Sequence, residues 1–384
     1  MRVAIVGTYP PTECGIATFT ADVSHALRGH GVDVLVVPVD PPTEWTGPAI
    51  RRADRSSSVA AARCLNQLGV AVVLVQHEFG IYGGPAGDHI LDFVAALDMP
   101  YAVTLHTVLP HFAPLEAAVL QQLCISAASV IVFTATARHL LLQQQLTPVR
   151  SLRILPHGAP SELYRREPMQ DVRKLLDIPA VSQVMTTFGL LSEGKGIELA
   201  IRALARLVCH HPELRYIVAG HTHPEVVRKG GERYRDGLLR LVQELGLAGN
   251  VVFVNRFLSV EELADVLAIT DVFCTPYRGE DQIVSGALTF ALAAGCPSVS
   301  TSYRYARDVL AGGAGLIVPF DDDVRFAAAI DVLLRDGPQR TAAREAARDV
   351  AASMSWPTVG RALRGVLTNA ASIRPTRPLL ASAR

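Results

Sequence analysis

The chain has no surplus of charge: 36 lysines and arginines are matched by 36 aspartates and glutamates over 384 residues. Nucleic-acid binding usually shows a basic surplus or stripe, so the balance excludes nucleic acid as the main partner. Paired cysteines are missing too. Six cysteines stand at 14, 64, 124, 209, 274 and 296 with no Cys-x-x-Cys among them, which reads as buried free thiols rather than disulfides or zinc ligands. No apolar run is long and uninterrupted enough to span a bilayer. No signal peptide precedes Arg2-Val-Ala-Ile-Val-Gly7, which already reads as core. These absences leave the expectation of a cytoplasmic globular protein without a transmembrane segment. Hydrophobic residues make up 49% of the chain, and the length suffices for two domains, each with its own core.

The most informative stretch is Met185–Leu204, an apolar strand, a glycine-punctuated turn and a helix. Ile197, Ala200, Ile201, Leu204, Leu207 and Val208 recur at helical spacing and predict one buried face. Gly189, Gly194 and Gly196 clear the turn of side chains, so that backbone N–H groups can approach a ligand. Lys195 then stands at the helix N-terminus, where the unpaired N–H groups favour an anion. The pattern reads as a phosphate site. Gly189-x-x-x-x-Gly194-Lys195 fits most of a Walker A loop, yet Gly196 stands where that loop needs Ser or Thr for magnesium. The plain alternative is a glycine-rich turn with a solvated lysine.

Phe188-Gly-Leu-Leu-Ser-Glu-Gly-Lys-Gly196 resembles the Gly-Arg-Leu-x-x-x-Lys-Gly segment of glycosyltransferase family 4, the retaining GT-B enzymes. The resemblance extends over nearly the whole chain. It implies an α/β GT-B fold, two Rossmann-like doubly wound domains facing across a cleft. The family's arginine falls on Leu190, so one expected cation for the diphosphate is absent.

In the first half, Val3–Val6 is a strand followed by the loop Gly7–Gly15 and a helix from about Ile16 to Arg28. The loop is longer than a nicotinamide-binding turn and rich in proline. The family carries a glycine pair here; only Gly15 is present, with Cys14 in the other place. Asp40–Ser58 reads as a long surface loop. Val70–Val75 is a β-branched run expected to be covered on both faces. His77, Glu78 and Tyr82 follow it at a strand's carboxyl edge, where α/β folds bind ligands, and are candidates for holding acceptor hydroxyls. Satisfying loop backbone groups is the equal alternative. Tyr101–Leu105 ends in His106, at a place where the resembling family touches the sugar and its leaving phosphate. Pro156-His-Gly-Ala159 resembles the family's Pro-Asn-Gly-Val turn, with His157 in the asparagine's place and on the acceptor side. Pro160–Asp177, dense in Pro, Glu and Arg, reads as an interdomain linker.

The second half repeats the rhythm. His221-x-His223 offers two metal-type side chains without an evident third, and a loop near the nucleotide is the preferred reading. The family lays the base near the turn at Arg256-Phe257. Ser259-Val-Glu-Glu262 is a capping signature. Ile283–Ala294 is apolar nearly all round and predicts a buried helix ended by Gly295, with Asp281, Gln282, Ile283, Val284, Ser285 and Gly286 at its mouth for a sugar or phosphate. The family's two glutamates fall on Gln282 and Phe290, so both carboxylates are absent. The family's closing pieces fall on Thr301–Leu310 and Gly312–Phe320, the second as a glycine-rich hairpin.

The expected domains are 1–165, completed by a helix at about 355–370, and 166–354, with a disordered tail at 371–384. The expected activity is transfer of a hexose, with retention, from GDP-mannose or a UDP-sugar to a hydroxyl of a sugar or small-molecule acceptor. Lys195, His106 and Gln282 carry it, with neither metal nor further cofactor, and a homodimer is compatible. A GT-B sugar-nucleotide epimerase and a non-catalytic nucleotide-sugar binder are the alternatives.

Overall fold

The computed structural model describes residues 1–165 and 167–375. The chain divides into two compact units, residues 1–158 with the helix Trp356–Ala371, and residues 159–355. Each is a parallel six-stranded sheet with helices on both faces.

The first sheet contains β1 (Arg2–Gly7), β2 (Asp33–Pro38), β3 (Val72–His77), β4 (Tyr101–Leu105), β5 (Ser129–Val132) and β6 (Leu152–Ile154). Its order is β2-β1-β3-β4-β5-β6, which switches direction between β1 and β3. Every residue of β3 is buried, as a β-branched run covered on both faces requires. The helix Gly15–Gly29 buries Phe19, Val23, Ala26 and Leu27 at helical spacing, and Cys14 caps it, its Sγ accepting from the Ala17 N–H at 3.3 Å. The last helix packs beside it, burying Trp356, Val359, Leu363 and Leu367. At Gly360 an added Cβ would lie 3.0 Å from the Ala26 Cβ, so small residues set how closely these helices approach.

The expected surface loop Asp40–Ser58 is shorter. A helix begins at Arg55, because the Asp54 carboxylate accepts from the Ser56 N–H at 3.0 Å. Ile50 within the loop is fully buried and bridges Val39 beyond the end of β2.

The second sheet contains β7 (Val184–Phe188), β8 (Arg215–Ala219), β9 (Val251–Val254), β10 (Val272–Thr275), β11 (Ser298–Thr301) and β12 (Gly315–Val318). Its order is β12-β11-β10-β7-β8-β9, the doubly wound order with its switch point between β7 and β10. The expected hairpin at Gly312–Phe320 is instead a strand running parallel to β11. Gly315 is held there by close backbone approach, since a Cβ would fall 2.1 Å from the Ser298 carbonyl oxygen.

The expected linker Pro160–Asp177 packs into this unit. Ala159 pairs with Ser355, Leu163 is buried in the core, and the Tyr164 hydroxyl donates to the Ala351 carbonyl at 2.8 Å. Arg165 pairs with the buried Asp265 at 3.1 Å. Apolar anchors every few residues therefore outweigh the segment's polar composition. The helix Trp356–Ala371 runs to the start of the expected tail; residues 376–384 lie outside the described residues. No described helix is long and apolar enough to cross a membrane.

Candidate functional site

Ligands of doubly wound sheets bind outside the carboxyl ends of the strands, at the switch point. In the second unit that place is the gap between the ends of β7 and β10. Phe188 closes β7, and Gly189 follows with φ +128°. Gly220 has the same φ after β8, and a Cβ there would lie 2.1 Å from the Gly189 carbonyl oxygen. Two glycines thus let the strand ends lie backbone against backbone.

Beyond Gly189 the chain makes a short 3-10 turn, Glu193–Lys195, before the helix Ile197–Leu207. Gly196 joins them in the left-handed region at φ +58° and caps the helix without a side chain. A Cβ on Gly196 would meet the Pro276 carbonyl oxygen at 2.1 Å, and the Arg278 N–H donates to the Gly194 carbonyl at 3.0 Å. The Lys195 turn is therefore clamped to the segment leaving β10. A Cβ on Gly194 would meet only the Ser192 hydroxyl, at 4.0 Å.

Lys195 lies just before the helix rather than in its first turn. Its Nζ sits 4.1 Å from the centroid of the Tyr277 ring, a cation–π contact. No described carboxylate forms an ion pair with it. Tyr277 in turn stacks on Tyr303 at 5.0 Å, and the Tyr277 hydroxyl is buried without a hydrogen-bond partner among the described residues. His223 titrates below the ordinary histidine range, mainly through partial burial, with the positive charge of Lys195 and the His221 ring adding to it. The sequence signal for Tyr277 is an aromatic one residue past a strand-ending Thr-Pro.

The mouth of the buried helix is built differently from the expectation. The helix begins at Gly286, later than Ile283, and Ser285 caps it with Oγ accepting from the Leu288 N–H at 3.2 Å. Ile283 is buried in the core and Val284 packs against it. Gln282 donates to the Val284 carbonyl at 3.0 Å, and Asp281 pairs with Arg304 at 3.0 Å. Phe290 stacks on Phe188 at 6.3 Å. At the end of β9, Arg256 is paired with Glu262 at 2.7 Å, whereas Phe257 is 51% exposed with its ring 6.4 Å from that of His221.

In the first unit the carboxyl edge is aromatic. Phe19 lies 4.9 Å from both His106 and His157 and 5.4 Å from Trp356. His106 hydrogen-bonds the Gln76 side chain at 2.9 Å and is nearly buried. Burial pulls its pKa down to about 3, with His157 and His77 adding to the shift. Gly15 is exposed, with open space around it.

Three of the four expected acceptor contacts are interior residues. His77 is fully buried, and burial holds its pKa at about 4. The Tyr82 hydroxyl donates to the carbonyls of Gln76 (2.8 Å) and Val6 (3.3 Å), fixing its loop to β1 and β3. His157 is buried in the aromatic cluster, its Nδ1 2.7 Å from its neighbour's carbonyl at Gly158. Only Glu78 keeps a partly exposed carboxylate, which accepts from the Gly80 N–H at 2.9 Å.

Residues 170–350 match the family described as glycosyl transferases group 1. The second unit matches that family along most of its length. The same unit carries the whole Lys195–Tyr277 arrangement. Over 263 residues the chain is 29% identical to the D-inositol 3-phosphate glycosyltransferase of Corynebacterium aurimucosum, covering 66% of this chain and 59% of the relative. It therefore spans about three-fifths of the length of that curated relative. The GT-B fold is shared with solved structures. Sucrose-phosphate synthase from Thermosynechococcus elongatus superposes with a TM-score of 0.75 at 18% identity, covering 95% of this chain and 98% of that one. Anabaena Alr3699/HepE in complex with UDP-glucose gives 0.72 at 16% identity, covering 96% and 99%.

Proposed function

We propose that the chain is a retaining hexosyltransferase that moves a hexose from a nucleoside diphosphate sugar to a hydroxyl of a sugar or other small acceptor. The observation that carries this reading is the Lys195 ammonium over Tyr277, at the switch point of a unit that matches the group 1 glycosyltransferases, with no described carboxylate to neutralise it. Departure of the nucleotide concentrates charge on a diphosphate, and preorganised donors aimed there lower the barrier. Lys195 supplies one. The N-terminus of the Ser285-capped helix and the backbone around Gly194 supply others, so the protein's own groups take the part a metal would otherwise play. The exposed Phe257 suits stacking with a base. His106 and Gln282 are assigned the sugar on the strength of the family resemblance, and Gly15 and Glu78 the donor phosphate and the acceptor.

A solved neighbour bound to UDP-glucose makes UDP-sugars the first donors to try, beside GDP-mannose. The name of the Corynebacterium relative makes a phosphorylated cyclitol the first acceptor. Nucleotide release should accelerate for one donor of such a panel. Lys195→Ala should weaken nucleoside diphosphate binding by about 1.5–3 kcal/mol, read by calorimetry, because a charged hydrogen bond is removed. Unchanged affinity removes Lys195 from the site.

One observation favours a second reading, a nucleotide-sugar binder without turnover. Phe290 stacks on Phe188, and the family resemblance sets it where a glutamate is expected. Tight binding of one donor with no release in the presence of any acceptor would select it.

A further inference from the structure

An open hollow of about 770 Å³ lies on the second unit between the helices Ile197–Leu207 and Arg233–Glu244, within the roughly 300–1,000 Å³ range of small-molecule sites. Neither Lys195 nor Tyr277 lines it. Arg202 enters from the first helix, Arg233 and Arg240 from the second, and Arg278 from the segment after β10. Arg278 forms a loose pair with Glu198 at 3.6 Å, and Glu198 also accepts from the Tyr234 hydroxyl at 3.2 Å. Arg202, Arg233 and Arg240 form no ion pair with a described residue. Some exposed arginines elsewhere on this unit do: Arg206, one turn beyond Arg202, pairs with Asp323 at 2.5 Å, and Arg256 with Glu262 at 2.7 Å.

Gly237 points the same way. It sits within the second helix on the arc that faces the hollow, one turn from both Arg233 and Arg240. A mid-helix glycine costs stability relative to alanine. Nothing in the fold asks for it here, since an added Cβ would have no neighbour within 4 Å. What it does is keep the floor between the guanidiniums bare.

We propose that this hollow binds a small phosphate monoester that also carries hydroxyl groups. Guanidiniums recognise phosphate oxygens through paired, charge-assisted hydrogen bonds. Glu193 and Glu244 line the same hollow, and carboxylates accept from hydroxyls, so a polyol phosphate suits it better than a bare polyanion. Glu193 of the Lys195 turn lines the hollow and Arg278 bonds to Gly194 of the same turn, so the occupant lies beside it.

The test is titration of the full chain with glycerol 3-phosphate and with inorganic phosphate, followed by calorimetry and 31P NMR. The expected result is saturable binding, tighter for glycerol 3-phosphate. The double variant R202Q/R240Q should weaken it by about tenfold or more, whereas Lys195→Ala should leave it unchanged. Gly237→Ala, which fits the helix, checks that a change there is tolerated; Gly237→Leu should fold and lose the ligand by filling the floor. Binding that survives R202Q/R240Q, or is lost in Lys195→Ala, would overturn the proposal by placing the anion elsewhere. Absence of saturation in the wild type, or retention only on phosphatidylcholine vesicles containing phosphatidylinositol 4-phosphate, would overturn it as well.

Discussion

His77, His106 and His157 are three imidazoles sealed inside one unit, and burial sets the protonation of each. Their pKa values fall to about 4, about 3 and about 4. In the unfolded chain each titrates near about 6.5. Between those values the unfolded chain binds more protons than the folded one, so stability is complete above about pH 6.5 and is lost as the pH falls toward about 4. Thermal melts should therefore drop steeply across that window. His157→Asn should flatten the slope; an unaltered slope would mean that His157 contributes none of it. At this scale the sequence was a poor guide. A polar residue at the end of a buried strand can turn inward or outward with equal local propensity. His77 turns inward because β3 is covered on both faces, and Tyr82 because its hydroxyl reaches the Gln76 and Val6 carbonyls. The turn around Lys195 was legible because Gly196 marks a left-handed link into the helix Ile197–Leu207.

Among the elements, caps and left-handed glycines were the features sequence could fix, since both depend on one residue. Ser259 accepts from the Glu262 N–H at 3.2 Å while the Glu262 side chain accepts from the Ser259 N–H at 2.9 Å. Ser259→Ala should cost about 1 kcal/mol of unfolding free energy in urea. Gly196→Ala is a harsher change. It forces a Cβ into the left-handed region and against the Pro276 carbonyl, and should cost at least about 2 kcal/mol. A loss below half of that would show that the turn is not clamped. Element boundaries were less legible. Ile283 and Val284 carry the apolar signal of the helix that follows them, yet Ser285 starts it, because a hydroxyl that satisfies a free N–H outweighs continuity of hydrophobicity.

For the whole molecule, two doubly wound sheets were legible from β-branched runs and glycine turns alone. The allegiance of Pro160–Asp177 was not, since composition reports solvation and the few apolar anchors decide packing. Both tryptophans of the chain, Trp45 and Trp356, belong to the first unit. Indole emission should therefore follow the unfolding of that unit, while far-ultraviolet circular dichroism follows both. Trp356→Ala removes a buried indole packed on Phe19 and should destabilise the first unit by about 3–5 kcal/mol. Separation of the variant's transition into two steps, with the lost stability confined to the lower one, is the expected outcome.

The helix Trp356–Ala371 closes a unit whose first strand is some three hundred and fifty positions behind it. A nascent chain therefore exposes the apolar flank of Gly15–Gly29 throughout translation of everything in between. The later-made half can finish folding first, and the half that leaves the ribosome earliest waits longest for its covering piece.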